Sequence, residues 1–373
     1  MLIKDIVTNK HKSINPQTYK STLFSHYSLP AFDAGRKAVY EYGESIMSNK
    51  FILHQKAILF NKLNIKFKRI WNVKHPSENS ICSSEFIPLI VDESVCLQDY
   101  LYYFLCSEPL TNSLLGCVSG TSNSQQRIRP EDLLKQEITL PSINEQRHIV
   151  DILGSIDEKI ENIEHLIAKT NDTIRNLFLV YAQECKSYFQ LSELCSVITK
   201  GTTPTTLKKS FVETGIPFIK VESLTDTHQI DKTKIAYIDE ETHELLNRSK
   251  LQYKDLLVSI AGTIGRFALL PKTMSRANTN QAVALIRGNL VSQEYLYALF
   301  VSGLCEEQIK AKTVQAVQAN LSLSVIGSLV VPYISDNTFT NKNQVLADYI
   351  EHLAEEKEVL MELKSLYLRK FFG

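Results

Sequence analysis

The chain has 373 residues, 44% of them apolar, and its 41 basic side chains are balanced by 41 acidic ones. That is apolar material for roughly two domains, and no apolar run approaches the roughly 20 residues that cross a bilayer. The opening MLIKDIVTNKHKS lacks an apolar core followed by a cleavage site, so a cytoplasmic location is expected. Seven cysteines (Cys82, Cys96, Cys106, Cys117, Cys185, Cys195, Cys305), odd in number and without a CxxC pair, suggest neither a disulfide framework nor a zinc ribbon. Reduced, mostly buried thiols are the simpler reading.

In chain order, a first globular part runs to about residue 142. It contains KAILFNKLN (56–64), DYLYYFL (99–105) and a polar loop SGTSNSQQRIR (119–129). A long helix is expected over 143–186. Its seam is Ile149, Leu153, Ile156, Ile160, Ile163, Ile167, Thr170, Ile174, Leu177 and Tyr181, alternating by four and three as a coiled coil does. At about 1.5 Å per residue it would be roughly 60 Å long. A second globular part, 187–342, leads to a last helix over 343–373, with an apolar stripe of Leu346, Ile350, Leu353, Leu360, Leu363, Tyr367 and Phe371 that Lys357 interrupts.

The two halves correspond in order. KAILFNKLN matches KDLLVSIAGTIG (254–265), DYLYYFL matches EYLYALF (294–300), and IRPEDLLKQEITLP (128–141) resembles LSLSVIGSLVVP (321–332). This is an internal duplication of globular unit and long helix. Charge follows the segments. The globular parts hold 16 basic against 13 acidic and 16 against 14, the helices 5 against 8 and 4 against 6. Ser45 to Ser77 carries seven Lys or Arg and no acid, and Leu256 to Gln293 is likewise acid-free. Such stretches attract phosphates.

Catalytic signatures are missing. There is no GxxxxGK[ST] loop, GxGxxG, HExxH or Pro-Pro-aromatic amino-methyltransferase signature, and no histidine pair at metal-ligand spacing. Ala261 to Gly265 reads as a tight turn. Asp157-Glu158-Lys159 and Glu355-Glu356-Lys357 superficially resemble part of a nuclease site, but on long helices i,i+4 charge pairing explains them better. No enzymatic role and no metal is expected on this chain.

Binding residues can be nominated. Lys56, Lys62, Lys66, Lys68, Arg69, Arg266 and Arg276 suit phosphates. Asn123, Gln125, Gln126 and Arg127 in the first polar loop, and Gln315, Gln318 and Asn320 in the second (312–322), suit base edges. Each loop alone could equally be a solvated connection; their repetition beside acid-free stretches favours nucleic acid. Lys200 and Thr202, in the turn KGTTP, suit a phosphate or a plain turn.

These residues together resemble the specificity subunits of type I restriction-modification enzymes. The second unit is similar to a target recognition domain of that family through KGTTP (200–204), GIPFIKVESL (215–224), DLLVSIAGTIGRFAL (255–269) and NTNQAVALI (278–286). The first resembles another variety of it through LPAFDAGRKAVYEYGESIMSNKF (29–51) and SGTSNSQQRIRPEDL (119–133), and LPSINEQRHIVDILGSIDEKIE (140–161) resembles the opening of the central helical region. The resemblance covers practically the whole chain, although the first unit lacks the Gly-Thr-Pro turn.

It implies an α+β fold of two target recognition domains joined by two long antiparallel coiled-coil helices with an internal pseudo-twofold repeat. It also implies DNA reading of a bipartite target. Two methyltransferase subunits, and in a restriction complex two translocase/nuclease subunits, would be the partners and would carry S-adenosylmethionine, ATP and magnesium. Rods of this length could space the two readers near one duplex turn, roughly 34 Å. The competing class is a coiled-coil adaptor joining two binding modules; a stand-alone methyltransferase or nuclease is disfavoured by the missing motifs.

Overall fold

The computed structural model describes residues 1–117, 126–314 and 320–373. They form two units, one of Met1–Glu161 with Glu358–Gly373, the other of Asn162–Lys357. Among the described residues no helix is long and apolar enough to cross a membrane.

In the first unit, strands β1 (Val7–Thr8), β9 (Phe86–Val91), β6 (Ala57–Asn61) and β7 (Ile70–Val73) make an antiparallel sheet in that order. A second sheet has the order β2 (Ser13–Ile14), β5 (Lys50–Ile52), β8 (Ser80–Ser83), β3 (Leu23–Tyr27), β4 (Val39–Tyr42), with β3 and β8 parallel. The unbroken apolar run of β6 exists because both of its faces are covered. Ile58 and Phe60 join a core with Tyr100, Leu101 and Leu105, whereas Ala57 and Leu59 pack with Trp71, Cys82 and Phe86. The helices are α1 (Leu29–Asp33), α2 (Gln98–Leu105), α3 (Glu108–Leu115) and α4 (Pro130–Leu134).

The second unit repeats the plan. After α5 (Ile143–Glu184) and β10 (Tyr188–Gln190) come α6 (Leu191–Leu194) and a sheet of β11 (Cys195–Lys200), β18 (Val283–Gly288), β15 (Leu256–Ser259) and β16 (Phe267–Leu269). The companion sheet is β13 (Ala236–Ile238), β12 (Ile216–Ile219), β17 (Ala277–Thr279) and β14 (Lys250–Leu251), again with one parallel pair, β12 with β17. Helices α7 (Glu240–Leu245), α8 (Gln293–Val301), α9 (Leu304–Val314) and α10 (Leu323–Gly327), then β19 (Val330–Pro332), complete it before α11 (Asn337–Phe372). Reversed from edge to edge, the companion sheet has the order of its counterpart without β2, and β6 takes the place of β15 as the duplication in sequence requires.

Helix α5 starts where Ser142 and Glu145 cap each other: the Ser142 amide donates to the Glu145 carboxylate at 2.9 Å, and the Glu145 amide to the Ser142 hydroxyl at 3.4 Å. Gln146, fully buried, anchors that first turn by donating to the carbonyls of Val95 and Pro141 and accepting from the Leu97 amide. Helix α11 begins at Asn337, ahead of the expected 343, because Asp336 caps it by accepting from the Phe339 amide at 2.8 Å.

The two long helices run antiparallel within each unit. In the second, Glu164 pairs with Lys357 at 2.6 Å and Phe178 meets Phe339, ring centroids 5.7 Å apart. In the first, Asp157 pairs with Lys364, and Ile149, Val150 and Phe372 flank one core. Leu153, Ile156, Ile163, Ile167, Ile174, Ile350 and Leu353 are buried as expected, and Ile149, Ile160, Leu346 and Leu360 partly so. Two seam positions need correction. Phe178 is fully buried while its neighbour Leu177 is only half-buried, because an undistorted helix drifts from the 3.5-residue repeat. Leu363 is 36% exposed, its place on the inner side taken by Lys364. Of the acids expected to pair along their own helix, Asp157 bridges to the other one: it binds Lys364 and accepts from the Tyr103 hydroxyl at 3.0 Å.

Candidate nucleic-acid interface

The nominated residues of the first unit come together at the end of β6. The Asn64 amide donates to the Gln126 carbonyl at 2.8 Å, Leu63 and Arg127 form a β-bridge, and the Ile128 amide donates to the Lys62 carbonyl at 3.1 Å. Residues 62–68 and 126–127, remote in sequence, therefore share one surface. Asn64 and Lys68 adopt left-handed backbone, φ 52° and 44°, which curls the chain between them into a single turn with Lys66 and Phe67 exposed. Arg69 lies over the Phe67 ring, 5.0 Å from its centroid.

The second unit has the same construction. The Leu321 amide donates to the Ile260 carbonyl at 2.8 Å, so that the exposed Asn320 stands beside the end of β15 as Arg127 stands beside the end of β6. The β15–β16 connection is a tight turn. The Ser259 hydroxyl donates to the Thr263 carbonyl and accepts from the Arg266 amide, and Gly262 and Gly265 supply the positive φ values of 72° and 94°. Asn123, Gln125, Gln315 and Gln318 lie outside the described residues.

Charge within these surfaces differs from what local composition suggests. Carboxylates distant in sequence neutralise most of the nominated cations: Lys56 pairs with Glu93, Lys68 with Glu108 at 2.5 Å, and Arg276 with Glu240. Arg69 holds Asp33 bidentately at 2.7 and 2.9 Å, and Arg266 holds Asp226 at 2.6 and 2.8 Å, keeping the Asp226 carboxyl below its ordinary range. Arg127 reaches Glu85 at 3.0 Å. Lys62, Lys66 and Lys200 have no such carboxylate among the described residues, and Lys66 and Lys200 are exposed. Their charge is thus the part most open to a phosphate.

The KGTTP turn lies hard against β17. The Gly201 amide donates to the Asn280 carbonyl at 3.0 Å, and a Cβ at Gly201 would sit 1.8 Å from the Thr279 carbonyl oxygen. Thr203 bonds Gln281, and Thr202 accepts from Arg248 at 3.3 Å. Arg248, which composition alone did not single out, thereby joins Thr202 beside a recess of about 280 Å³.

Sequence reasoning also missed a polar cluster on the second sheet of the first unit. The His26 Nδ1 bonds Glu41 at 2.6 Å, and Lys50, 6% exposed, donates to Ser48. Burial pushes the His26 imidazole and the Lys50 ammonium below their ordinary pKa values. Glu41 and Lys50 lie within the 29–51 segment, but nothing local marks them as partners of His26.

Duplicated α+β units, each bringing a polar segment back to the end of its central strand and joined by a long helix, are the plan of a two-domain reader of nucleic acid. The type I restriction modification DNA specificity domain matches the chain twice, over residues 7–171 and 184–364. The chain belongs to that family and is a DNA-sequence specificity subunit of a type I restriction-modification system, so the adaptor reading gives way. Among solved structures it is similar to the S subunit of a type I restriction-modification system from M. genitalium, with 17% identity, a TM-score of 0.53, and 100% of this chain and 95% of that one covered. It is also similar to the HsdS subunit from Thermoanaerobacter tengcongensis, with 16% identity and a TM-score of 0.43 over 100% of this chain and 95% of that one. The M. genitalium likeness agrees with the fold described above.

Proposed function

We propose that the chain selects a bipartite DNA target and contributes no catalytic group, each unit reading one short sequence on either side of an unread spacer. Adenine methylation belongs in this reading to two methyltransferase subunits, and translocation with cleavage to restriction subunits where the system has them. S-adenosylmethionine, ATP and magnesium bind those partners, and the assembly works in the cytoplasm. Lys62, Lys66 and Lys200 contact phosphates, with Lys56, Lys68, Arg69, Arg266 and Arg276 supporting the same surfaces. Gln126, Arg127, Asn320 and Thr202, together with Asn123, Gln125, Gln315 and Gln318, serve the loops that meet the DNA.

One observation supports the bipartite reading above all: the chain carries the same strand order twice, and in both copies a polar loop rejoins the end of the central strand through the same backbone bond. A near-zero net charge makes DNA binding by the lone chain weak, so tight binding needs the partners. Mapping modified adenines in DNA from cells carrying the complete system tests the proposal. Two short defined sequences with a fixed undefined gap are expected; a single uninterrupted sequence, or no modification, overturns it.

A further inference from the structure

On the second sheet of the first unit, β3, β4 and β5 turn His26, Glu41 and Lys50 to one face, beside a hollow of about 540 Å³. That volume lies within the roughly 300–1,000 Å³ of small-molecule sites. Leu29 and Pro30 of α1 and Val39 of β4 give it an apolar wall.

The polar groups are unusual for a sheet face. His26 is 8% exposed, its Nδ1 is engaged by Glu41, and its Nε2 is buried without a hydrogen-bond partner among the described residues. Buried polar atoms are nearly always satisfied, so an orphan at the edge of a cavity points to a missing ligand atom. With the Nδ1 proton donated to the carboxylate, Nε2 is an acceptor. Glu41 offers further acceptor oxygens and Lys50 a donor.

The charges of Glu41 and Lys50 cancel. A phosphate entering the hollow would face the carboxylate, and a free cation would face the ammonium. What suits it is a neutral, flat, mostly apolar group whose edge both donates and accepts hydrogen bonds, which describes a nucleobase. We propose that this hollow receives one nucleobase of the DNA target, turned out of the stack, and reads its edge through His26, Glu41 and Lys50, with Leu29, Pro30 and Val39 against its face. The assignment rests on the DNA-reading function proposed above and adds a second contact region to the first unit, apart from the loop surface at the end of β6.

The test compares adenine-modification maps from cells whose complete system carries the wild-type chain, Glu41→Gln, His26→Phe, Lys50→Met or the charge-preserving Lys50→Arg. Thermal unfolding of each chain serves as the fold control. Expected is degeneracy at one position of one half-site, with methylation of sequences bearing another base there rising at least tenfold, and the other half-site unaltered. Lys50→Arg should show the smallest change. Identical maps for all variants overturn the proposal. So does degeneracy shared by both halves, or loss of all modification by variants that unfold at the wild-type temperature, either of which would assign the cluster to assembly. A wild-type map without a bipartite sequence would instead bring down the underlying function, so the two failures are distinguishable.

Discussion

Lys66 and Arg69 stand three residues apart in one turn, yet their charges are used differently. Arg69 is committed to Asp33, while Lys66 faces solvent without a carboxylate partner among the described residues. Replacing Lys62 and Lys66 with Gln should therefore lower the salt dependence of DNA binding by the assembled complex by about 0.9 per lost phosphate contact without changing thermal stability. Arg69→Gln should cost about 1 kcal/mol or less in stability and change the salt slope less; gel shifts across a salt series and thermal unfolding separate the two. A second residue-scale prediction concerns His228, whose ring stacks on Phe267 at 4.0 Å. Burial, with the Arg175 charge nearby, lowers its pKa from 6.5 to about 4. The unfolded chain thus binds the extra proton first, so stability is whole above pH 6.5 and is lost as pH falls towards 4. His228→Asn, which keeps the left-handed backbone acceptable at φ 61°, should flatten that dependence when unfolding temperatures are compared at pH 5 and pH 7.5.

At the scale of elements, the long helices decide which side chains matter. Phe178 is fully buried against Tyr295 and Phe339, with ring centroids 5.4 and 5.7 Å away, so Phe178→Ala should destabilise by about 3–5 kcal/mol. Leu177→Ala, one residue earlier and half-buried, should cost distinctly less; denaturant unfolding of both variants checks the order. Most of the seam was legible because Leu153 to Ile174 repeats as a heptad. The departures were not, because Leu363 and Lys364 exchange places only when Asp157 supplies the lysine with a partner from the other helix. The acid-free stretches misled for a related reason. Lys68, Arg69, Arg266 and Arg276 find their carboxylates 36 to 40 residues away, beyond any window of local charge counting. His26, Glu41 and Lys50 escaped notice likewise, since only strand pairing assembles them.

For the molecule as a whole, the duplication was readable from short matches in order, and the matched AILFN and LLVS take the same interior place in their sheets, which the sequence matches alone did not reveal. Helix α5 is 42 residues long and continuous from the first unit into the second; in the function proposed above its length would set the unread gap. Inserting one heptad into α5 and the matching heptad into α11 should lengthen the unread gap in the modification map and leave both half-sites intact. An unchanged gap would show that something other than helix length sets it.

The first unit is discontinuous, closed by residues 358–373, and Phe372 caps its core through Tyr100 and Phe104 at 5.3 and 5.9 Å. During synthesis residues 1–161 are made before residues 358–373, yet their apolar face is covered only when those later residues arrive. The first unit therefore completes its core only after the second has been translated, and a stop near residue 357 would harm the unit far from it in the message.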